Sequence, residues 1–439
     1  MKTSHFFALF LPALPALSSP VHDTSTLYDN VKVMRIPTGN VTEALTQLVA
    51  QHGLTLWTLH PQPQSHLDVE VPSPKYSGFI QDVTDVLDTG GIDHALVTMH
   101  ENLGESIRRE SENTFSAQDL KLEAGALAGP EWFNAYHPYA DHLTFLDDLV
   151  TTFPKNAKIV SSGRSIGGRD IKGINIFGSS GSGTKPAVIW HGTAHAREWI
   201  GTMVTEYLAY NLLINYANTT DIKSYVDKYD FYIFPIVNPD GFVYTQTTDR
   251  LWRKNRQTPP SGSSCYGRDI NRNWNVSWSA TGGASTSPCA EDYKGLAAQD
   301  APETQQLAAF LNARANSAAG AKMYTDWHSY DQLFMTPYGY SCSKVASDGT
   351  ELNNLAAGFG TALEASHGTT FTTGPICSTI YPATGSSTDY AYDVSKIKYS
   401  FAAELRDTGD NGFILPANQI RPSGEEVFAG VKYLLANIK

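Results

Sequence analysis

Cysteine is scarce in this sequence: its 439 residues include four, and no two have the Cys-x-x-Cys spacing of many structural zinc sites. Long apolar runs are missing too, since none approaches the roughly 20 residues that a membrane-spanning helix requires. Basic residues are outnumbered, because 32 Lys and Arg against 44 Asp and Glu give a formal net charge of -12. A nucleic-acid-binding protein would need a clustered basic surface. We therefore expect no cysteine-built metal centre, no membrane span and no nucleic-acid partner.

The first residues have the pattern of an export signal. Lys2 is followed by the apolar run 6–11 and by small residues at 16–18. We expect residues 1–18 to be removed as a signal peptide, which makes the mature protein secreted and extracellular. Three N-glycosylation sequons fit that route, although such tripeptides also occur by chance; they begin at Asn40, Asn218 and Asn275.

Residues 31–98 contain the pattern of a first folded unit. Its strand-like runs lie at 31–35, 55–57, 66–71 and 94–98, and its helix-like stretches at 42–51 and 79–87. The order strand, helix, strand, strand, helix, strand is that of a small ferredoxin-like α+β domain, and no catalytic set is visible in it. The next segment, 101–129, is charged at first and then rich in Ala and Gly. We interpret it as a connecting loop open to proteases.

The rest of the chain, from about residue 130, predicts a second and larger unit. Strand-like runs at 171–177, 187–190, 231–237 and 322–327 alternate with helix-like stretches such as 206–216 and 304–313. Such alternation is typical of the α/β class, here a mixed, mostly parallel twisted sheet with helices on both faces. A hydrophobic content of 41% is ample for a core of that size.

A candidate metal group follows the strands of this unit. His195 and Glu198 come between the run 187–190 and a helix-like stretch, and His328 follows the run 324–327. Residues beyond the carboxyl ends of neighbouring strands converge at one edge of an α/β sheet. Two imidazoles and a carboxylate, with a fourth position open for water, are typical of catalytic zinc. Alone the pair is weak, because a His and a Glu three apart usually lie on a solvated helix face.

Six ordered motifs make the signal specific. They lie at 195–199, 251–256, 269–274, 328–330, 379–381 and 404–409. The series resembles the secreted zinc carboxypeptidases of the A and B type, and it implies their fold and one Zn²⁺ per chain. The implied ligands are His195, Glu198 and His328. The resemblance also implies that Glu404 is the general base, that Arg256 polarises the scissile carbonyl, and that Asp269 orients the first ligand by a hydrogen bond.

The resemblance further implies that the substrate is the C-terminus of a peptide or protein. Asn271 and Arg272 would clamp its carboxylate, which a guanidinium can bind through two parallel hydrogen bonds. Tyr381 would close over the bound terminus. Arg197 and Arg253 would extend a positive funnel towards the cleft.

A pocket for the terminal side chain decides the substrate preference. Thr388 occupies the position where the B type has an aspartate, and an uncharged lining is expected from Ile376, Ile380 and Met335. We therefore expect a preference for hydrophobic and aromatic C-terminal residues. Asp389 lies next door and keeps open the alternative, a B-type preference for Lys or Arg.

The family also suggests how the chain is cross-linked and processed. Four cysteines allow three pairings, and the resemblance implies Cys265–Cys289, which leaves Cys342–Cys377. It implies that 19–118 is an activation propeptide covering the cleft and that 119–439 is the catalytic domain. An activating protease would cut between about 110 and 129. By analogy with the family, the enzyme is a monomer.

Three other interpretations stay open at this point. The segment 101–129 could join a permanent two-domain enzyme. The fold could serve as a catalytically silent zinc-binding module, although such a module would normally show a lost ligand or base. The same residues could also form an amidohydrolase of acylated amino acids, which a comparison of a blocked dipeptide with an acyl amino acid would distinguish.

Overall fold

The computed structural model describes residues 24–112 and 127–439. The predicted signal peptide, 1–18, and the predicted domain boundary at 118 lie outside the described residues. Within them, the chain forms a four-stranded sheet followed by an eight-stranded sheet.

The first sheet has the predicted order of elements. Its strands are β1 (Val31–Pro37), β2 (Thr55–Leu56), β3 (His66–Pro72) and β4 (Val97–His100), and its helices are α1 (Thr42–Gln51) and α2 (Ser73–Gly90). The strands lie in the antiparallel order β2-β3-β1-β4, as in a ferredoxin-like domain. Phe79, Val83 and Leu87 recur at helical spacing along α2 and bury against the sheet together with Leu45 and Val49 of α1.

The start of the predicted connecting loop is a helix instead. Residues Leu103–Glu112 form α3, in which Leu103 and Ile107 are buried one turn apart. These two side chains belong to a cluster with Leu251 and Phe413 of the larger part. A charged segment is therefore helical here because its few apolar residues share one face and meet a distant partner.

The larger part contains the remaining strands and α-helices that the structure describes. Its strands are β5 (Ala157–Arg164), β6 (Asp170–Ile176), β7 (Ala187–Gly192), β8 (Asp230–Phe234), β9 (Ala321–Ser329), β10 (Leu333–Thr336), β11 (Thr372–Pro375) and β12 (Tyr399–Leu405). Its helices are α4 (Tyr139–Thr152), α5 (Trp199–Ile214), α6 (Thr220–Lys228), α7 (Pro239–Thr247), α8 (Pro302–Ala315), α9 (Gly349–His367), α10 (Ile376–Thr379), α11 (Ser387–Asp393) and α12 (Ile420–Asn437). The strands lie in the order β11-β10-β12-β9-β7-β8-β6-β5.

This sheet is mixed, as predicted. The central strands β8, β7, β9 and β12 run parallel to one another. Alternate residues of β7 face opposite sides: Val188 and Trp190 join the core under α5, α9 and α12, whereas Ala187 and Ile189 join the core under α8 and α11. Burial on both faces explains why the strands read as continuous apolar runs in the sequence.

Both implied disulfide bridges are present, Cys265–Cys289 and Cys342–Cys377. None of the helices in the part of the chain that the structure describes is long and apolar enough to span a bilayer.

Candidate metal centre and active site

The candidate metal group lies at the carboxyl ends of β7 and β9. His195 and Glu198 follow β7 directly before α5 begins, and His328 is near the end of β9, which runs parallel to β7. A close approach of β7 and α5 keeps this loop short. A Cβ on Gly192 would lie 2.6 Å from the carbonyl oxygen of Gly201, so glycine is needed there.

Three buried ligand atoms converge at this point. His195 Nδ1 lies 2.8 Å from Glu198 Oε1, His328 Nδ1 lies 2.9 Å from Glu198 Oε2, and the two Nδ1 atoms are 3.0 Å apart. One atom from each residue lies within 4.8 Å of the others. Two imidazoles and one carboxylate fit catalytic zinc, which takes three protein ligands and keeps a fourth position open.

Each imidazole presents its other nitrogen to a buried carboxylate. His195 Nε2 is 3.1 Å from Asp269 Oδ1, as predicted for an orienting residue, and His328 Nε2 is 2.9 Å from Asp326 Oδ2. Asp326 is not among the site residues predicted from the sequence. A signal existed, because Asp326 is two positions before His328 in a strand and therefore faces the same side of the sheet.

The group is electrostatically suited to a cation. Burial alone would raise the pKa of Glu198, but the two imidazoles outweigh it and hold the pKa well below its usual range. Burial would lower the pKa of His328, yet Asp326 and Glu198 hold that pKa well above its usual value. The cluster thus stabilises positive charge at its centre, which a bound divalent ion would supply.

Glu404 lies beside this group on the neighbouring strand. It is opposite His328 in the parallel pairing of β9 and β12, and its side chain lines the cleft. Burial raises the pKa of Glu404 well above its usual range, and the nearby carboxylates of Glu198 and Asp331 add to the effect. A carboxylate in this setting readily accepts a proton.

Arg253, rather than Arg256, reaches the metal group. The Arg253 guanidinium donates to Asp269 Oδ2 from Nη2 at 2.8 Å and from Nε at 3.1 Å, and its Nη1 lies 3.7 Å from Glu198 Oε1. It lines the same cleft as His195 and Glu404.

Arg256 is turned away from that cleft. Its guanidinium stacks 3.6 Å from the centre of the Tyr244 ring and is also close to Trp252 and Tyr266. It lines a separate surface cleft that includes Arg169. The predicted placement of Arg256 at the scissile carbonyl is therefore not supported. The segment after Trp252 is irregular, so spacing along the sequence did not reveal which arginine turns inwards.

Of the residues predicted to clamp the terminal carboxylate, Arg272 and Tyr381 lie together, whereas the Asn271 amide is engaged elsewhere. Arg272 Nη2 is 3.3 Å from the Tyr381 hydroxyl, and Arg272 Nη1 donates to the Asn271 carbonyl at 2.9 Å. Arg272 Nε is buried without a hydrogen-bond partner. The Asn271 side chain reaches the metal group, since its Nδ2 lies 3.0 Å from His328 Nε2.

Arg197 does not lie on an open funnel. It is buried, its guanidinium packs 4.1 Å from the centre of the Phe413 ring, and its Nη1 lies 3.5 Å from Glu291. Its Nε and Nη2 atoms have no hydrogen-bond partner. Arg197 is thus a buried cation with unused donors in this form of the protein.

The predicted side-chain pocket forms a compact apolar cluster. Its members are Leu333, Met335, Ile376 and Ala402, with Ile380 packed against them. Thr388 is buried, and its hydroxyl donates to the Phe401 carbonyl at 3.4 Å. The Asp389 carboxylate instead accepts N–H groups from Gly339 and Tyr340 at 2.9 and 3.1 Å. Burial raises the pKa of Asp389 to about 7, although these N–H groups oppose the shift.

The N-terminal sheet covers the cleft. Trp57, Thr58 and Leu59, which follow β2, line the same cavity as His195 and Glu404. Three residues of the N-terminal part thus occupy the cleft wall beside the metal group, where a substrate would have to approach.

Polar contacts hold the two parts together. Glu110 of α3 forms a buried bidentate pair with Arg250 at 2.6 and 2.8 Å. Further contacts join Tyr28 to Asp249, Arg35 to the Thr408 carbonyl, Asp68 to Tyr330, His60 to Asp292 and His100 to the Asn411 carbonyl. One of these partners, Tyr330, lies two positions after the candidate ligand His328, and another, Thr408, lies four positions after Glu404.

A mixed α/β sheet with a His-Glu-His group and an adjacent glutamate at its carboxyl edge defines a zinc-dependent hydrolase. The zinc carboxypeptidase family model matches residues 142–430. The chain is 45% identical over 410 residues to metallocarboxypeptidase A of Arthroderma otae, with 93% of each chain covered. It is 35% identical over 413 residues to carboxypeptidase A4 of Mus musculus, with 94% of each covered. The chain belongs to the zinc carboxypeptidase family and is a metallocarboxypeptidase.

Solved structures agree with this assignment. A crystal structure of thrombin activatable fibrinolysis inhibitor superposes with a TM-score of 0.81 at 27% identity, covering 93% of this chain and 98% of the other. Carboxypeptidase A from Helicoverpa armigera gives 0.77 at 25% identity, covering 94% and 99%. Bovine thrombin-activatable fibrinolysis inhibitor, in complex with tick carboxypeptidase inhibitor, superposes with a TM-score of 0.64 at 31% identity. The match covers 70% of this chain and 98% of the other.

Proposed function

We propose that the protein is a secreted A-type exopeptidase, made as a zymogen, that releases hydrophobic residues from peptide C-termini. The observation that carries this proposal is the shared cleft. The three candidate ligands, the partly exposed Glu404 and the guanidinium of Arg253 all line or border one cavity beside the apolar pocket.

His195, Glu198 and His328 would hold the metal. When bound there, zinc lowers the pKa of a coordinated water to about 7. Glu404 would take the proton of the attacking water and pass it to the departing amine, since its carboxylate lies beside the ligands and favours the protonated form.

Arg253 is the better candidate for stabilising the oxyanion. Its guanidinium is fixed by Asp269 and has Nη1 directed towards Glu198, so a positive charge is already in place where negative charge develops. Arg272 would bind the terminal carboxylate, and Tyr381 would close over it. Asn271 would have to turn its amide away from His328 and the Ser387 N–H to join them. This clamp would restrict cleavage to the last peptide bond.

The pocket supports a hydrophobic preference. The cluster around Met335 and Ile376 is apolar, the Thr388 hydroxyl donates to a backbone carbonyl, and Asp389 is engaged by backbone N–H groups. A C-terminal Lys or Arg would therefore bring a charge without an available partner, which is costly in a buried site.

The N-terminal part would act as an inhibitory propeptide. Its segment 57–59 lines the cleft beside His195 and Glu404, and the ion pair between Glu110 and Arg250 joins it to the larger part. Cleavage between α3 and the larger part would release it. Secretion is supported by the predicted signal and by two disulfide bridges, which persist in oxidising compartments.

The test is release of C-terminal residues by the purified full-length protein before and after limited trypsin treatment. Matched blocked dipeptides ending in Phe, Leu, Lys and Glu are assayed with and without a zinc chelator, and bound zinc is measured by mass spectrometry. We expect one zinc per chain and chelator-sensitive release of Phe and Leu only after cleavage. Release of Lys would contradict the pocket assignment, full activity before cleavage the zymogen assignment, and bound zinc without any release would favour a silent binding module.

A further inference from the structure

Two neighbours of His328 demand opposite tautomers of its ring. Asp326 Oδ2 lies 2.9 Å from His328 Nε2 and can only accept a hydrogen bond when ionised. Asn271 Nδ2 lies 3.0 Å from the same nitrogen and can only donate. A proton on Nε2 satisfies Asp326, whereas a lone pair on Nε2 satisfies the amide.

The choice decides whether His328 can bind a metal. Its Nδ1 atom faces Glu198 and His195, so Nδ1 needs a free lone pair and the proton must stay on Nε2. A hydrogen bond to a charged carboxylate is roughly twice as strong as one between neutral groups, so Asp326 prevails over Asn271.

We propose that Asp326 is a positioning residue that locks His328 in its metal-binding tautomer. This inference rests on the proposed zinc site and adds a residue to it. Asp326 would not touch the substrate or the ion; it would act through the imidazole of His328.

Asp326 is itself firmly held for this task. It is fully buried in β9, and its Oδ2 also accepts the hydroxyl of Ser387. His191, its partner on β7, places Nδ1 3.2 Å from the other carboxylate oxygen as an ion-pair contact, and neither of these two atoms has a hydrogen-bond partner. The backbone N–H of Ser387 donates to Asn271 Oδ1 at 2.8 Å, which fixes the amide with its nitrogen towards His328. The competition between donor and acceptor is therefore built into the surrounding structure.

The two orienting carboxylates are not equivalent. Asp269 shares its charge with the guanidinium of Arg253 at 2.8 Å. Among the residues that the structure describes, the ion-pairing partners of Asp326 are the imidazoles of His191 and His328 alone. More of the negative charge of Asp326 is thus available to its ligand histidine.

The test is zinc affinity in the full chain, measured by competition with a chromophoric chelator after removal of bound metal. For Asp326→Asn we expect a Kd about 10- to 100-fold weaker, the usual effect of losing an orienting partner. The matched control is Asp230→Asn, which makes the same change in a buried strand carboxylate at the amino end of β8. Its zinc affinity is expected to stay within about twofold of the wild type.

A second variant separates the tautomer lock from a general loss of packing. Removing the competing donor by Asn271→Ala in the Asp326→Asn background is expected to restore part of the lost zinc affinity. The visible spectrum of the cobalt-substituted protein should shift in Asp326→Asn and return towards wild type in the double variant. A packing defect would give no such rescue.

The outcomes distinguish the inference from the function on which it rests. If the wild type binds zinc and Asp326→Asn binds it equally well with an unchanged cobalt spectrum, the inference is overturned. If Asp326→Asn folds poorly, Asn271→Ala alone is measured instead: it keeps the carboxylate and removes the competing donor, so zinc affinity is expected to rise, and a weaker affinity would overturn the inference. If the wild type itself does not bind zinc, the proposed function fails instead.

Discussion

Two nearby arginines differ in whether their side chains point into the cleft. Arg253 and Arg256 lie three positions apart in one irregular segment, yet one ion-pairs with Asp269 beside the ligands and the other stacks on Tyr244. Motif spacing identifies such a pair without saying which member turns inwards. The direction depends on partners from distant parts of the chain.

Substitution of the two arginines provides a direct test of their roles. Arg253→Ala is expected to lower kcat by roughly 10²- to 10³-fold, about 3 kcal/mol, because the developing oxyanion loses its positive partner. Arg256→Ala is the matched control and is expected to leave kcat within a few-fold, since its guanidinium lies in another cleft. Steady-state kinetics of the trypsin-treated proteins on a blocked Phe dipeptide measure both. A larger loss for Arg256→Ala would reverse the assignment.

Substitution of Thr388 tests the predicted preference for hydrophobic C-terminal residues. Thr388→Asp places a carboxylate in the apolar lining, where Asp389 is already occupied by backbone N–H groups. We expect kcat/KM for substrates ending in Lys to rise and kcat/KM for substrates ending in Phe to fall, each by at least about tenfold. A tenfold change corresponds to a free-energy difference of about 1.4 kcal/mol. Ser386→Asp would not serve as a control because Ser386 caps α11. Thr388→Val is better, since it keeps the volume and is expected to leave Lys a poor substrate.

At the level of elements, strands were easier to foresee than their connections. The buried strands β7 and β9 carry enough apolar and β-branched residues to identify them, and their order placed His195 and His328 at one edge. Helix α3 was interpreted as loop because it is mostly charged. Its stability comes from burial against Leu251 and Phe413 and from the pair between Glu110 and Arg250, none of which is local in sequence.

Helix α3 is therefore expected to hold the N-terminal part over the cleft of the larger part. Glu110 pairs with Arg250, which the larger part also holds through the Arg197 and Phe413 carbonyls. Removing one partner of a buried ion pair leaves the other uncompensated and costs roughly 3–5 kcal/mol. Glu110→Ala is expected to give measurable peptidase activity without trypsin.

The matched control for this prediction is on the same helix. Glu105→Ala changes an exposed residue that pairs with Arg109 one turn away, so the uncleaved protein is expected to stay inactive. Dipeptide hydrolysis by both uncleaved variants is the measurement, with intact chain length checked by mass spectrometry. If the two uncleaved variants are equally inactive, the pair between Glu110 and Arg250 does not hold the N-terminal part over the cleft.

Across the whole molecule, the family, the zinc ligands and the layered α/β architecture followed from ordered motifs. The interface between the two parts did not, because its contacts join residues hundreds of positions apart, as in the hydrogen bond of His100 to the Asn411 carbonyl. Asp326 left a local signal in its place two positions before His328, but the orientation of Asn271 and Ser387 around it is defined only by the folded chain.

That interface also carries carboxyl groups that respond to pH. Burial raises the pKa of Glu70 to about 7 and that of Asp331 to about 7, against ordinary values of 4.5 and 3.8. Asp249 of the larger part adds to the rise in the pKa of Glu70, and Asp68 of the N-terminal part adds to that of Asp331, while Arg197 and Arg35 oppose these shifts. Both groups therefore feel the opposite part. Between about pH 4 and 7 the assembled protein binds more protons than the separated parts. Assembly is therefore expected to weaken as pH rises through that window.

The expected result is that trypsin-cleaved protein retains its N-terminal part at pH 5 and loses more of it at pH 7.5, as measured by size-exclusion chromatography. His100 acts in the opposite direction, because burial lowers its pKa and acid favours the separated form. Glu70→Gln isolates the carboxyl contribution: the amide cannot ionise, so retention at pH 7.5 is expected to increase and its pH dependence to flatten. Retention that is greater at pH 7.5 than at pH 5 in the wild type would show that the histidine, and not the carboxyl groups, governs release.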